Sequence, residues 1–543
     1  MRLLDTGFVL ASIVPQSLKD FVYSRPSEGA TMASVDEKNR KLRILKKNIY
    51  EQPNIGDCII TPWHTDESFG QQQLTGTNPT TLEIASNDWI AEFKEEAHVQ
   101  GNSDMERLIS EGAESKSLYV QDCSYFRAAV GAHPLSDLSA NSSEEKYACA
   151  SVTLFLFTLQ GRLHPCAIVI DYKQDMDNSV VIFNRRLDPS ESEVDQADDW
   201  PWRYAKTCAS SADWIRHELK VHLVDCHFVE EATIVAAHRS FRNDHLVYRC
   251  LEPHWLKTLP LNAAARSTLV PHVVIPVIGL NADSTFAFIR DAYKRFDWVG
   301  HYVPNHLEKR GFPLTELHSS PKFHNYAYGQ EIVLMWDIIR KFVKAFLVNG
   351  GLGLATDEAV ASDEAIALWC AEMQSASGGQ MESWPTIKTV DQLVDCVTMC
   401  IHIASPQHTA VNYLQEYYNA NVVNRPPAIC SPLPRTLHEL EEYTEKQLMG
   451  ALPLNRPSEW LLASHLVHLL SYKVAEDQNL INYGVSLHHL TDTEPALHDA
   501  ATKFVHDLLD FDLVLERISR NLTDTEVAYN VLNPITNAVS ILI

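Results

Sequence analysis

The chain has 543 residues, 45% of them hydrophobic, and carries 70 acidic against 45 basic side chains, a formal net charge of −25. That is enough apolar material for a large core, and the charge argues against a nucleic-acid partner or electrostatic docking on anionic lipid. Eleven cysteines fall without a repeating spacing, which suggests reduced thiols and a cytoplasmic setting. No run approaches the ~18–20 apolar residues of a transmembrane helix. Peripheral membrane contact and oligomeric state stay open. Residues 1–60 read as an N-terminal strap whose opening apolar run, interrupted by Asp5, is a poor secretory signal. Its basic stretch Lys38 to Lys47 reads as a solvated helix face. Residues 61–200 form a mixed α/β portion. Polar loops are expected at Ser103–Ser117 and Ser136–Glu145, and strands at Leu118–Val120, Val152–Leu159, Cys166–Asp171 and Val180–Phe183. Asp188–Trp200 reads as an acidic surface loop.

From residue 201 to 543 the pattern is helical. Ile332, Met335, Trp336, Ile339, Phe342, Val343 and Phe346 recur three and four apart until Gly350-Gly351. Thr386–Met399 leads toward His408, with Pro406 expected to bend the chain. Ser458–Val474 is a further helix with Ser458 as its cap, and Glu494–Leu522 is a long one with Pro495 in its first turn. Asn533–Ile543 has no helical period and reads as a tail threading back to the core. The expected fold is mainly α, one domain over 1–543, with a small β-sheet in the N-terminal third.

The chemistry gathers in His217–Leu269. His222 and His227 are an i,i+5 pair, which an α-helix of about 100° per residue would splay by roughly 140°. An under-wound π turn brings them to one face, and such turns cluster at functional sites. Far downstream, His408 and Asn412 are four apart and share a face of a regular helix. Together they offer three imidazoles and one amide, a donor set for a transition metal. An anionic donor is missing from the neighbourhood, and the α-carboxylate of Ile543 is the candidate. Cys396, Cys400 and His402 lack a fourth ligand at matching spacing and read as helical core.

These motifs resemble those of the lipoxygenases. The matching string is His222, His227, His238-Arg239, His245, Pro253-His254 and Asn262-Ala263-Ala264-Ala265-Arg266. His217 repeats the same spacing, so spacing alone leaves the register open; the family pattern places the ligands on His222 and His227. His408, Asn412 and Gln415 match a second signature, followed by Asn424-Arg425-Pro426. Asp66 to Pro79 and Trp202-x3-Lys206 agree as well. With only the 1–60 strap in front, the chain is read as a catalytic-domain-only form without the N-terminal β-barrel of plant and animal members.

The resemblance implies non-haem iron, with manganese as the alternative, held by His222, His227, His408, Asn412 and the Ile543 carboxylate. It implies abstraction of a hydrogen atom from the methylene between two cis double bonds of a polyunsaturated fatty acid such as linoleate. Dioxygen then adds to the opposite face and gives a hydroperoxide. Ala265 falls at the family's stereocontrol position, where alanine goes with S products; a 13S product is expected over 9S. Leu269 matches the leucine packed over the reactive carbon, Arg425 the residue proposed to meet the fatty-acid carboxylate, and Glu218 with Gln415 a hydrogen-bonded pair steering Asn412. Iron is preferred to manganese because Ala265 is not glycine and the chain does not end in valine. Other readings are a hydroperoxide isomerase on the same site, a silent lipid-binding protein, and a metal-dependent hydrolase, the last disfavoured because no general base stands beside the histidines.

Overall fold

The computed structural model describes residues 29–49, 62–140, 145–189, 195–349, 353–471, 474–490, 494–524 and 528–543. Most of the strap, and Gly350-Gly351, lie outside them. The basic stretch is part of a helix, Met32–Ile49.

The N-terminal portion is built on an antiparallel sheet of order β1-β2-β5-β6-β7: β1 (Glu83–Ile84), β2 (Leu118–Asp122), β5 (Val152–Phe157), β6 (Leu163–Val169) and β7 (Val181–Phe183). Two further short strands, β3 (Leu138–Ser139) and β4 (Tyr147–Ala148), pair with each other. The register is Tyr119 opposite Phe155 and Leu154 opposite Ala167, but Phe155 lies opposite Pro165. Proline has no N–H to give the ladder, so the pairing slips there and Cys166 is left as a bulge. Both faces of this sheet are buried. Tyr119, Phe155, Phe157 and Ile168 face the main core. Leu118, Val120, Leu154 and Val169 face a second core closed by the helices Asn87–Val99 and Ser103–Glu114. Burial on both faces explains why the strands read as unbroken apolar runs rather than alternating ones.

The second of those helices corrects the loop expected at Ser103–Ser117. Asn102 caps it, its side chain accepting from the Met105 amide at 3.1 Å. Met105, Ile109 and Gly112 then line one buried stripe, a period hidden in sequence by the polar residues between them.

The helical body surrounds a long rod. It begins as α1 (Trp200–Arg216), capped by Asp199, and continues without a break through a π-helix, π1 (His217–Phe228), into α2 (Val229–Ser240). A second π segment, π2, spans Ala265–Val274 and contains Pro271. The apolar stripe from Ile332 lies on α3 (Ala327–Asn349). Then come α4 (Val390–His402), opened by a Thr389–Gln392 capping box, a π turn, π3 (Ile403–Gln407), that holds Pro406, and α5 (His408–Asn412). The last long helix, α6 (Pro495–Asn521), packs on α3. The helix expected from Ser458 runs Pro457–Leu470; its proline occupies the first turn and Arg456 precedes it, so Ser458 is inside the helix rather than capping it.

Candidate metal centre

The i,i+5 pair on π1 and the first residue of α5 meet. The Nε2 atoms of His227 and His222 are 3.2 Å apart, and those of His222 and His408 are 3.4 Å apart. All three side chains are buried. On an α-helix this convergence fails; π1 adds the extra backbone per turn that brings residues five apart into line. π3 delivers His408 in the same manner, where Pro406 removes a backbone donor.

The absence of an extra proton makes the cluster a donor set. Burial pushes His222 down to about 4 and His227, further lowered by its neighbour, to about 3, and it holds His408 well below the ordinary imidazole value. The rings are therefore neutral near pH 7. His227 Nδ1–H donates to Asn262 Oδ1 at 2.9 Å, which leaves Nε2 with a bare lone pair. His222 Nδ1 faces the Glu218 carboxylate at 3.7 Å, which favours the same tautomer. Lone pairs converging at 3.2–3.4 Å repel unless a cation lies among them. Nitrogens bound at about 2.1 Å to one ion, about 90–110° apart, stand at this separation. The residues fit a transition metal.

Asn412 is fully buried one turn beyond His408. Its amide pairs with Gln415 at 2.8 Å, leaving Asn412 Nδ2 and Gln415 Oε1 buried and without partners. Turning both amides over keeps that bond and presents Asn412 Oδ1 where the orphaned nitrogen stood. Oxygen there is a metal donor, which the nitrogen is not.

The tail does return to the core. Asn537 Oδ1 accepts from Thr409 Oγ1 at 2.8 Å, His254 Nδ1 donates to the Val539 carbonyl at 2.7 Å, and the Val539 amide donates to the Gln478 carbonyl at 2.9 Å. Ile541 is fully buried, whereas Leu542 and Ile543 are half-buried. Among the described residues the histidines form no ion pair with the Ile543 carboxylate.

Residues 13–528 match the lipoxygenase family. The chain belongs to that family. It is 47% identical over 509 residues to the manganese lipoxygenase of Pleurotus sapidus, covering 93% of this chain and 78% of that protein. A fungal lipoxygenase structure from Fusarium graminearum superimposes with a TM-score of 0.88 at 40% identity, over 97% of this chain and 89% of that one. The chloroplastic lipoxygenase 1 of Tanacetum cinerariifolium is 28% identical over 431 residues, and this chain spans 46% of its length. The protein is thus a lipoxygenase, an oxidoreductase of the dioxygenase class. Its helical body and small sheet are those of the lipoxygenase catalytic fold.

With the Asn412 and Gln415 amides turned over, Gln415 Nε2 replaces the orphaned Oε1, and Glu218 Oε1 is likewise buried without a partner. Glu218 lies between His222 and His217, its oxygens 3.7 and 3.8 Å from their Nδ1 atoms. It is fully enclosed and its carboxyl is raised by burial. One expectation for this lipoxygenase, the role of Arg425, is corrected by the structure. Arg425 is not open to a fatty-acid carboxylate: it is 2% exposed and forms a short buried ion pair with Asp213. Asp213 also accepts from Asn78 at 2.7 Å and Arg216 at 3.0 Å, so the Arg425 ion pair belongs to a buried structural network. Ala265 is buried at the start of π2, and Leu269, one turn on, packs partly buried against the main core. Asp66 Oδ1 accepts from Trp202 Nε1 and Lys206 Nζ, both at 2.8 Å. That explains why those pieces of sequence travel together. Burial would raise the Asp66 carboxyl, but Lys206 and these bonds outweigh it and hold it at about 2.

The residue missed by sequence reading is Asn262. Its Nδ2 donates to the His227 carbonyl at 2.7 Å and to Glu231 Oε2 at 3.0 Å, and Arg266 Nη1 holds Glu231 at 2.5 Å. The signal was present, since Asn262 and Arg266 bracket a quoted motif. Spacing alone does not say that the asparagine returns to His227.

Proposed function

We propose that this lipoxygenase converts linoleate-type polyunsaturated fatty acids and dioxygen into S-hydroperoxides, with the 13S product favoured over 9S. The observation that carries the reading is the convergence of three neutral, buried imidazoles on one point. His222, His227, His408 and Asn412 would hold the metal, with the Ile543 carboxylate as the anionic donor at the end of the anchored tail. A first-row transition metal bound there would supply the acceptor for one electron as the bis-allylic C–H bond breaks, the proton passing to a water-derived base, so that one hydrogen atom in all is removed. The protein's own contribution is placement. Asn262 fixes the His227 tautomer, Gln415 orients Asn412, and the His217 Nε2–Val411 carbonyl contact at 2.8 Å ties π1 to α5. Ala265 and Leu269 on π2 set which face of the pentadienyl meets dioxygen. Their apolar surroundings keep water from the radical.

The name of the Pleurotus relative favours manganese. Alanine at 265 favours iron. Elemental analysis of purified protein, with chiral chromatography of the linoleate products, tests both points. Near-stoichiometric iron or manganese and a single S-hydroperoxide are expected. A metal-free protein, or a racemic product, would overturn the reading. Consumption of hydroperoxide without oxygen uptake would identify the isomerase instead.

A further inference from the structure

We propose that a small inorganic anion of the halide class binds in a polar cavity behind π1, between Arg310, Lys220 and His306. The cavity holds about 50 Å³ and is lined by these three with His301, Tyr328 and Gln407. A buried water takes ~10–15 Å³ and a drug-sized ligand ~300 Å³ or more. The space therefore admits a few waters or one small ion, and no acyl chain.

The case rests on a buried charge that no carboxylate contacts. Arg310 is 3% exposed. Its guanidinium donates to the carbonyls of Pro79 and Leu82 at 3.4 and 3.0 Å and to the Tyr326 hydroxyl at 2.8 Å. Its Nε is buried without an acceptor. Among the described residues Arg310 makes no ion pair. Neutral oxygens satisfy its donors, and the Phe312 and Tyr326 rings lie 5.2 and 5.9 Å from its guanidinium carbon. Glu83 acts on it from a distance, but no carboxylate touches it, and a buried charge without a counter-charge in contact is costly. The one carboxylate lining the cavity, Asp225, pairs through Oδ2 with Lys220 at 2.6 Å, its Oδ1 being buried without a partner. The walls thus carry one positive charge in excess, within a chain whose net charge is −25. The local field agrees: burial first, then the nearby charge of Arg310, holds the His306 imidazole neutral. A neutral imidazole supplies one N–H to an anion, the Lys220 ammonium supplies another donor, and Arg310 supplies the compensating charge. Val221 and Gln407, next in sequence to His222 and His408, form the inner wall. The anion would therefore brace the two segments that carry the metal donors without touching the metal.

Crystals of the metal-loaded full chain soaked in sodium bromide, with diffraction data collected at the bromine edge, give the direct test. One anomalous peak in contact with His306 and Lys220 is expected. Peaks confined to the outer surface, or none, overturn the proposal. In solution, the melting midpoint is followed against chloride and against gluconate at matched ionic strength, gluconate being too large for the cavity. A saturable rise with chloride alone is expected. An equal response to both anions reports ionic strength only and overturns the site. Losing one hydrogen bond to a charged group should weaken chloride binding about tenfold or more in His306→Leu. The bromide experiment on the unaltered chain stands whether or not that variant folds.

Discussion

His227 shows how one side chain is fixed from both ends. Its Nε2 faces the other two imidazoles, and its Nδ1–H is held by an asparagine that is itself held by the His227 carbonyl and by Glu231. Asn262→Ala frees the ring to rotate and to exchange tautomers. Loss of such a supporting partner typically lowers metal affinity 10–100-fold, so metal retained after challenge with a chelator should fall accordingly while the circular dichroism spectrum is unchanged. Retention equal to wild type would remove Asn262 from the centre. A second residue-scale prediction concerns Glu230, on α2 three residues past His227. One of its oxygens accepts from Trp255 Nε1 at 2.8 Å, the other is buried without a partner, and burial raises the carboxyl to about 8. A folded-state value above the unfolded one means full stability below about pH 4.5 and progressive loss as pH rises through 8. Glu230→Gln keeps the tryptophan bond and removes the ionisation. It should stabilise the protein by a few kcal/mol near pH 9 and hardly at all near pH 4, as thermal melts at the two pH values would show.

At the scale of elements, the sequence revealed the irregular helix better than some regular ones. An i,i+5 histidine pair has no reason to exist on an α-helix, so the under-wound segment could be inferred at His222 and His227, and the structure extends it over His217–Phe228. The four-residue step from His408 to Asn412 likewise fell on a true α-helix. What stayed hidden depended on long-range geometry. The helix Ser103–Glu114 is mostly polar and earns its place through three residues packed beneath the sheet. The ion pair between Arg425 and Asp213 joins positions 212 apart in sequence, and no local pattern announces it. Glu218 lies 3.7 and 3.8 Å from the Nδ1 atoms of His222 and His217, and spacing does not announce the second contact. Close approach of elements sets a further prediction. A Cβ on Gly70, in the helix Asp66–Thr75, would stand 1.8 Å from the Leu163 carbonyl oxygen of β6. Backbone cannot yield that distance in a packed interior, so Gly70→Ala should cost several kcal/mol. A melting midpoint within a degree or two of wild type would contradict this packing.

The whole molecule places its donors on parts of the chain that meet only when folding is complete: π1 from the middle, α5 from beyond α4, and a tail pinned by Ser405, Thr409 and His254. A metal that binds this arrangement and not the unfolded chain stabilises the fold by mass action, about 4 kcal/mol at a thousandfold excess over Kd. Removing it with a chelator should lower the melting midpoint, and restoring iron or manganese should return it. A chelator-treated protein that melts unchanged would mean that the histidine cluster holds no structural ion. The family and the fold were legible in the sequence because their motifs fill most of the chain. Product regiochemistry was not, because it depends on the shape of an apolar channel assembled from distant helices rather than on any local string. The most direct test of the account is oxygen uptake on linoleate by metal-loaded protein, with His408→Ala measured beside it. The account predicts uptake with conjugated-diene formation in the unaltered chain and its loss in the variant, whose fold is retained. Uptake undiminished in His408→Ala, or absent from the loaded wild-type protein, would contradict it.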